Sequence, residues 1–162
     1  MTEESQPFLG IISGRRRRDH AEVADRADRI ASGLQKLGVS RGDSVCMLMR
    51  NDIAFMEAAY AAMRLGAYGV PINWHFKPEE INYVLKDSGS SVLIAHADML
   101  HQLREAIPSG VTVLSVPTPP EILKNYKIDP RIWQSRISRL IWNPGLRSRR
   151  PMTARKCRSR RT

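Results

Sequence analysis

The chain has 162 residues, 42% of them hydrophobic, enough for one domain of ordinary size with its own core. A formal charge of +10 invites a polyanionic partner, but residues 131–162 hold ten Arg, one Lys and no acidic residue, leaving 15 basic and 16 acidic groups in the preceding 130. The body is near neutral, so its charge gives no reason to invoke nucleic acid, and two distant cysteines, Cys46 and Cys157, support neither a disulfide framework nor a zinc site.

The opening MTEESQPFLGIISG is acidic where a secretion signal is basic, and FLGII is too short for such a signal's apolar region. No run approaches the ~18 apolar residues of a membrane span, so a cytoplasmic, reducing location is expected. Residues 1–18 read as a lead-in. In DHAEVADRADRIASGLQKLG, Val23, Ala27, Ile30, Leu34 and Leu37 recur at steps of four and three, the mark of one helix face. Asp19 is placed to cap the first free amides while Glu22 reaches back to it, and Gly38 ends the helix. SVCMLM follows as a continuous apolar run, the pattern of a strand buried on both faces.

NDIAFMEAAYAAMRLG returns to the helical period through Ile53, Met56, Tyr60 and Met63, with Asn51 or Asp52 as cap and Gly66 as stop. AYGVPIN reads as a strand leaving through a proline-marked loop. KPEEINYVLKDSG has Pro78 in its first turn and Glu79 and Glu80 where the helix dipole favours them. SVLIA is again a strand, ADMLHQLREAIPSG a helix, and VTVLSV a strand. Helices alternating with short apolar runs predict the α/β class, with a mostly parallel sheet covered by helices over residues 19–116. Residues 117–130, with four prolines, read as a surface connection, and 131–162 as a disordered basic tail.

Chemistry-bearing motifs are sparse. Neither G-x-G-x-x-G nor G-x-x-x-x-G-K-[ST] occurs, and no His pair has the spacing of a helical metal site. His96 and His101 are expected to face solvent beside a helix. Without a G-x-S-x-G elbow, the scattered Ser, His and Asp residues define no triad, so no catalytic and no metal-ligating residue is assigned. IASGLQKLGVSRGDSV imitates a helix-turn-helix, but its second helix would run into Val45 through Met49, which is apolar on every side and offers no polar face to base edges.

Three stretches carry a family likeness: the first helix ending LGVSRGDSV, the segment NDIAFMEAAYAAMRLGA, and VPINWHFKPEEINYVLKDSG. Together they resemble the opening part of AMP-forming acyl-CoA synthetases, in the adenylate-forming ligase superfamily, over roughly residues 10 to 130. INWHFKPEEI leans toward ligases of fatty or other carboxylic acids. The resemblance implies a partial N-terminal subdomain of the adenylate-forming fold. It also implies a parent reaction in which a carboxylate attacks the α-phosphate of ATP and the thiol of CoA then displaces AMP. ATP, magnesium and CoA are the implied cofactors of the full-length family. Its Ser/Thr/Gly-rich phosphate loop ending in Pro-Lys-Gly, and its lysine on a small C-terminal domain, are not in this sequence, so a fragment inactive alone is expected. One family contact carries over: His75 of NWHF stands where some members place a basic residue near the phosphates of CoA. Trp74 and Phe76 are expected to pack.

The charge steps up after Pro130, where the resemblance is expected to end. RSRRPMTARKCRSRRT has the composition of a GC-rich gene read out of frame, so residues 131–162 are expected to be a frameshift product appended to a marginally stable fragment. The alternative is a small basic protein in which RIWQSRISRLIW and the arginines beyond it bind nucleic acid or an anionic membrane, without sequence preference.

Overall fold

In the computed structural model, residues 8–103 and 105–129 are described. The chain begins with a hairpin of β1 (Gly10–Ser13) and β2 (Arg16–Asp19), followed by α1 (His20–Lys36), β3 (Ser44–Leu48), α2 (Ile53–Leu65) and β4 (Tyr68–Pro71). It continues through α3 (Pro78–Asp87), β5 (Val92–His96), α4 (Ala97–Leu100), β6 (Thr112–Val116) and α5 (Pro120–Asn125). The larger sheet has the order β4-β3-β5-β6 with every pairing parallel, Val45 standing opposite Val92 and Val92 opposite Thr112. The fold is therefore α/β, a parallel sheet flanked by helices, as the alternation of periods predicts.

Local chemistry sets the element boundaries. The Asp19 side chain accepts the Glu22 amide at 2.7 Å and opens α1. Glu22 does not reach back to close a capping box; its carboxylate lies 3.0 Å from Arg18 Nε. The reciprocal contact forms instead at α3, where Glu80 accepts the Lys77 amide at 2.7 Å and Pro78 takes the first helical position. Gly66 ends α2 at φ 67°, a left-handed conformation that any side chain would strain.

Two apolar layers sandwich the sheet. Ile30, Leu34, Ala58, Ala61 and Ala62 from α1 and α2 pack on Val45, Met47, Val92 and Ile94. On the other face Ile81, Leu85, Leu100 and Leu103 pack on Cys46, Leu48, Leu93 and Ala95. β3 and β5 thus bury both of their faces, which is why their sequences are continuously apolar rather than alternating.

Three differences from expectation have physical causes. α2 buries Ile53, Glu57, Ala58, Ala61 and Ala62, not the predicted face through Met56, Tyr60 and Met63, and Met63 is 69% exposed. The alanines let α2 lie close to α1, and that proximity outweighs the larger apolar area of methionine. The helix predicted across ADMLHQLREAIPSG ends after Leu100. Asn82 Nδ2 takes the Ala106 carbonyl at 2.5 Å and Pro108 follows, so the segment runs on in turns anchored by Leu100 and Leu103. The hairpin lies within the stretch read as a lead-in, and α5 within the Pro-rich connection. Residues 131–162, with the basic tail expected there, lie outside the described residues.

Candidate functional site

From β3 the chain crosses over α2 to β4 on one side, then returns over α3 to β5 on the other side of β3. The order therefore reverses between β3 and β5, and the loops at their carboxyl ends part there, the usual place for a ligand crevice in an open parallel sheet. Those ends carry a cluster of polar side chains: Arg50 and Asp52 after β3, His96 at the end of β5 and Asp98 beyond it.

Asp52 is the hub. As the cap of α2, its Oδ1 accepts the Ile53 amide at 2.6 Å, and it pairs with Arg16 Nη2 of the hairpin at 2.6 Å. Arg16 also donates through Nε to Glu121 Oε1 at 2.7 Å, which ties hairpin, α2 and α5 together. His96, expected to face solvent, is fully buried at 0% exposure. It is the last residue of a strand whose two faces are both covered, and it turns inward to its neighbours at the sheet end. Its Nδ1 accepts the Arg50 amide at 3.2 Å, so in the neutral ring the proton sits on Nε2, which faces Asp52 Oδ2 at 3.5 Å. That separation is electrostatic contact rather than a full hydrogen bond. Burial pushes the Asp52 carboxyl up, but His96, Arg16 and the Ile53 amide outweigh it and hold the group at about 2, below its ordinary 3.8.

Arg50, 8% exposed, donates Nη1 to Asp98 Oδ2 at 2.7 Å. Thr118 Oγ1 donates to the other oxygen of Asp98. The Arg50 guanidinium lies 5.1 Å from the Trp74 ring and 4.6 Å from the Tyr126 ring, a cation held between two aromatic faces. Its Nε is buried without a hydrogen-bond partner among the described residues. Beside it opens a cleft of about 490 Å³ whose walls include Leu48, Trp74, Phe76, Ile81, Met99 and Leu103. Trp74 packs against the second core layer, whereas Phe76 is 38% exposed at the cleft wall.

His75 sits on the loop between β4 and α3, exposed, its amide donating to Asn73 Oδ1 at 3.0 Å and its ring centroid 3.5 Å from that of Trp74. It adjoins the Arg50 stack through Trp74. His101 is exposed and stands apart from the cluster.

A second ionic knot was not anticipated from the sequence. Glu57 of α2, 1% exposed, accepts from Arg18 Nη1 and from Arg26 Nε, the latter at 2.8 Å. The available signal was the run Arg15 to Arg18, which reads as a basic tract. Strand alternation divides it, so Arg16 and Arg18 turn toward buried carboxylates while Arg17 lies 5.5 Å over Phe8. Asp52 was legible only as a helix cap, and Glu57 gave no signal because a lone carboxylate among Ala58, Ala61 and Ala62 carries no pattern of its own.

These clusters are built to hold loops. Asp52 is an acceptor already engaged by Arg16, and Asp98 is engaged by Arg50 and Thr118. No three His, Cys, Asp or Glu side chains among the described residues converge as metal ligands. No G-x-x-x-x-G-K-[ST] stretch lies among the described residues, and Asp52 and Asp98 are already paired, so these residues do not by themselves fit ATP and magnesium as a complete site.

The sequence model of the AMP-binding enzyme family matches residues 4–145, and the chain belongs to that family. The match runs past Pro130, so the charge step there is not the end of the resemblance. A long-chain-fatty-acid–CoA ligase of Mycobacterium tuberculosis is 41% identical over 78 residues, 48% of this chain and 16% of that protein. A feruloyl-CoA synthase of Amycolatopsis is 34% identical over 110 residues, 64% of this chain and 22% of the relative. A benzoate CoA ligase structure from Burkholderia xenovorans superposes with a TM-score of 0.63 at 25% identity, covering 67% of this chain and 22% of the other. The relatives are acyl- and aryl-CoA ligases, and the chain spans about a fifth of their length.

Proposed function

We propose that this chain is the leading scaffold of a cytoplasmic fatty-acid or other carboxylic-acid CoA ligase, inert alone because the phosphate loop and catalytic lysine are not among its residues. The observation that carries this reading is the family match over residues 4–145, combined with coverage of about a fifth of CoA-ligase relatives. In the parent reaction the acid's carboxylate would displace diphosphate from the α-phosphate of ATP, with magnesium offsetting the phosphate charge, and the thiol of CoA would then displace AMP from the acyl group. The role of these residues is to fix the loops at the carboxyl end of the sheet. Arg16 and Asp52 hold the hairpin on α2, and Arg50 and Asp98 hold the wall of the cleft.

His75 is the residue proposed to meet a CoA phosphate. It is exposed and stacked on Trp74, which favours contact with an incoming anion.

The experiment is to sequence the coding DNA past the codon for Thr162 and translate all frames. A downstream stretch encoding T-S-G-T-T-G-x-P-K-G supports the reading, and its absence from every frame overturns it. The concentration of eleven basic residues in 131–162 favours a second reading, a basic arm. That reading requires binding that disappears when residues 131–162 are deleted while the rest of the fold stays intact, and that falls less steeply with salt than charge alone dictates.

A further inference from the structure

Of the histidines described, His96 alone is buried, whereas His20, His75 and His101 are exposed. The two nitrogens of its ring have unlike surroundings. Nδ1 accepts the Arg50 amide at 3.2 Å, while Nε2, without a hydrogen bond among the described residues, faces Asp52 Oδ2 at 3.5 Å. The charged groups around the ring come from several elements. Asp52 caps α2 and is paired with Arg16 of β2, which also reaches Glu121 of α5, and Arg50 follows β3 and is paired with Asp98 of α4. This setting suits a neutral imidazole with its proton on Nε2. A second proton must go to Nδ1, where it meets the Arg50 N–H donor against donor. On the Nε2 side the same charge is favoured, because it turns the contact with Asp52 into an ion pair. Asp52, held at about 2, is ionised throughout the range in which histidines titrate. Protonation thus exchanges a backbone hydrogen bond on one side of the ring for charge pairing on the other.

We propose that His96 is a pH-operated latch on the cleft: neutral, it ties the main chain at Arg50 to the end of β5, and protonated, it releases Arg50 and pairs with Asp52 instead. The effect reaches the cleft through the Arg50 side chain. Its guanidinium, paired with Asp98 at 2.7 Å, stands 5.1 Å from the Trp74 ring and 4.6 Å from the Tyr126 ring, so a shift of the Arg50 main chain disturbs that stack. Mild acid therefore loosens the part of the cleft wall that Arg50 and Trp74 form. The ring has 0% exposure, so further chain packed on the sheet meets its neighbours and not the ring itself. The latch operates whether or not the downstream phosphate-loop motif is found.

The experiment is nitrogen-15 NMR on the full chain between about pH 8 and pH 5, a window in which histidines and the α-amino group are the groups that ordinarily titrate. His96 Nδ1 should be bare at the upper end and protonated at the lower. At the same midpoint the protection of the Arg50 amide against hydrogen exchange should fall at least ~10-fold and the Trp74 indole N–H should shift, with the circular dichroism unchanged. His96→Asn keeps an acceptor near the place of Nδ1 but takes up no proton in this range, so its Arg50 amide should stay equally protected throughout. A His96 that stays neutral down to the acid end, or is doubly protonated already at the alkaline end, overturns the proposal. So does a titration of His96 that leaves the Arg50 amide or the Trp74 indole unmoved, loss of the whole fold within the window, or an Arg50 response that survives in a folded His96→Asn protein. If that variant does not fold, the midpoints in the unaltered chain decide: a shared midpoint upholds the latch and separate ones overturn it.

Discussion

Asp52 caps α2, pairs with Arg16 and faces His96, so neutralising it loosens three attachments at once. Its carboxyl is held at about 2 in the fold against 3.8 ordinarily. The folded value is the lower one, so its stabilisation is complete well above pH 3.8 and disappears as pH falls through that value toward 2. Acid titration followed by circular dichroism should show stability declining through that window, and Asp52→Asn should flatten the decline. An unchanged profile in the variant would assign acid sensitivity to other groups. Glu57 makes a second case. Deleting its carboxylate leaves Arg26 beside Arg18, which keeps only Glu22, and Glu57→Ala should cost about 1–3 kcal/mol, read as a lower urea midpoint at unchanged slope. A loss below ~0.5 kcal/mol would mean that solvent already satisfies both guanidinium groups.

At the scale of elements, the four strands of the parallel sheet and helices α1 to α3 were legible because period and punctuation agree, whereas the β1–β2 hairpin and α5 were not. Asp19 and Gly38 bracket α1, Pro78 opens α3, and the apolar runs of β3 and β5 fit only strands covered on both faces. The face of α2 was misread because alanine contributes little to a pattern scored by apolar size, yet closeness to α1 selects for it. Ala61→Leu should therefore cost about 1–3 kcal/mol through overpacking. Met63→Ser, at an exposed position, should stay within ~0.5 kcal/mol. Thermal melts of the two variants check this, and the opposite ranking would restore the methionine face to the core. His96 was misplaced for a related reason. A histidine following SVLIA looks like the first residue of a surface loop, and nothing local reveals that Arg50 and Asp52, more than 40 residues earlier, supply an amide and a carboxylate to receive it.

For the whole molecule, the family was legible in three stretches of the first 89 residues, while the ionic knots that hold the subdomain together were not, since each joins residues far apart in sequence. Arg16 meets Asp52 and Glu121, and Arg18 meets Glu57, through contacts that only the fold creates. These knots and the two apolar layers account for loops held in place at the carboxyl end of the sheet. The most direct measurement is release of AMP when the purified 162-residue chain is incubated with ATP, magnesium, a long-chain fatty acid and CoA. The account predicts AMP at the level of a protein-free blank. Turnover well above that blank, dependent on both the acid and CoA, would contradict it.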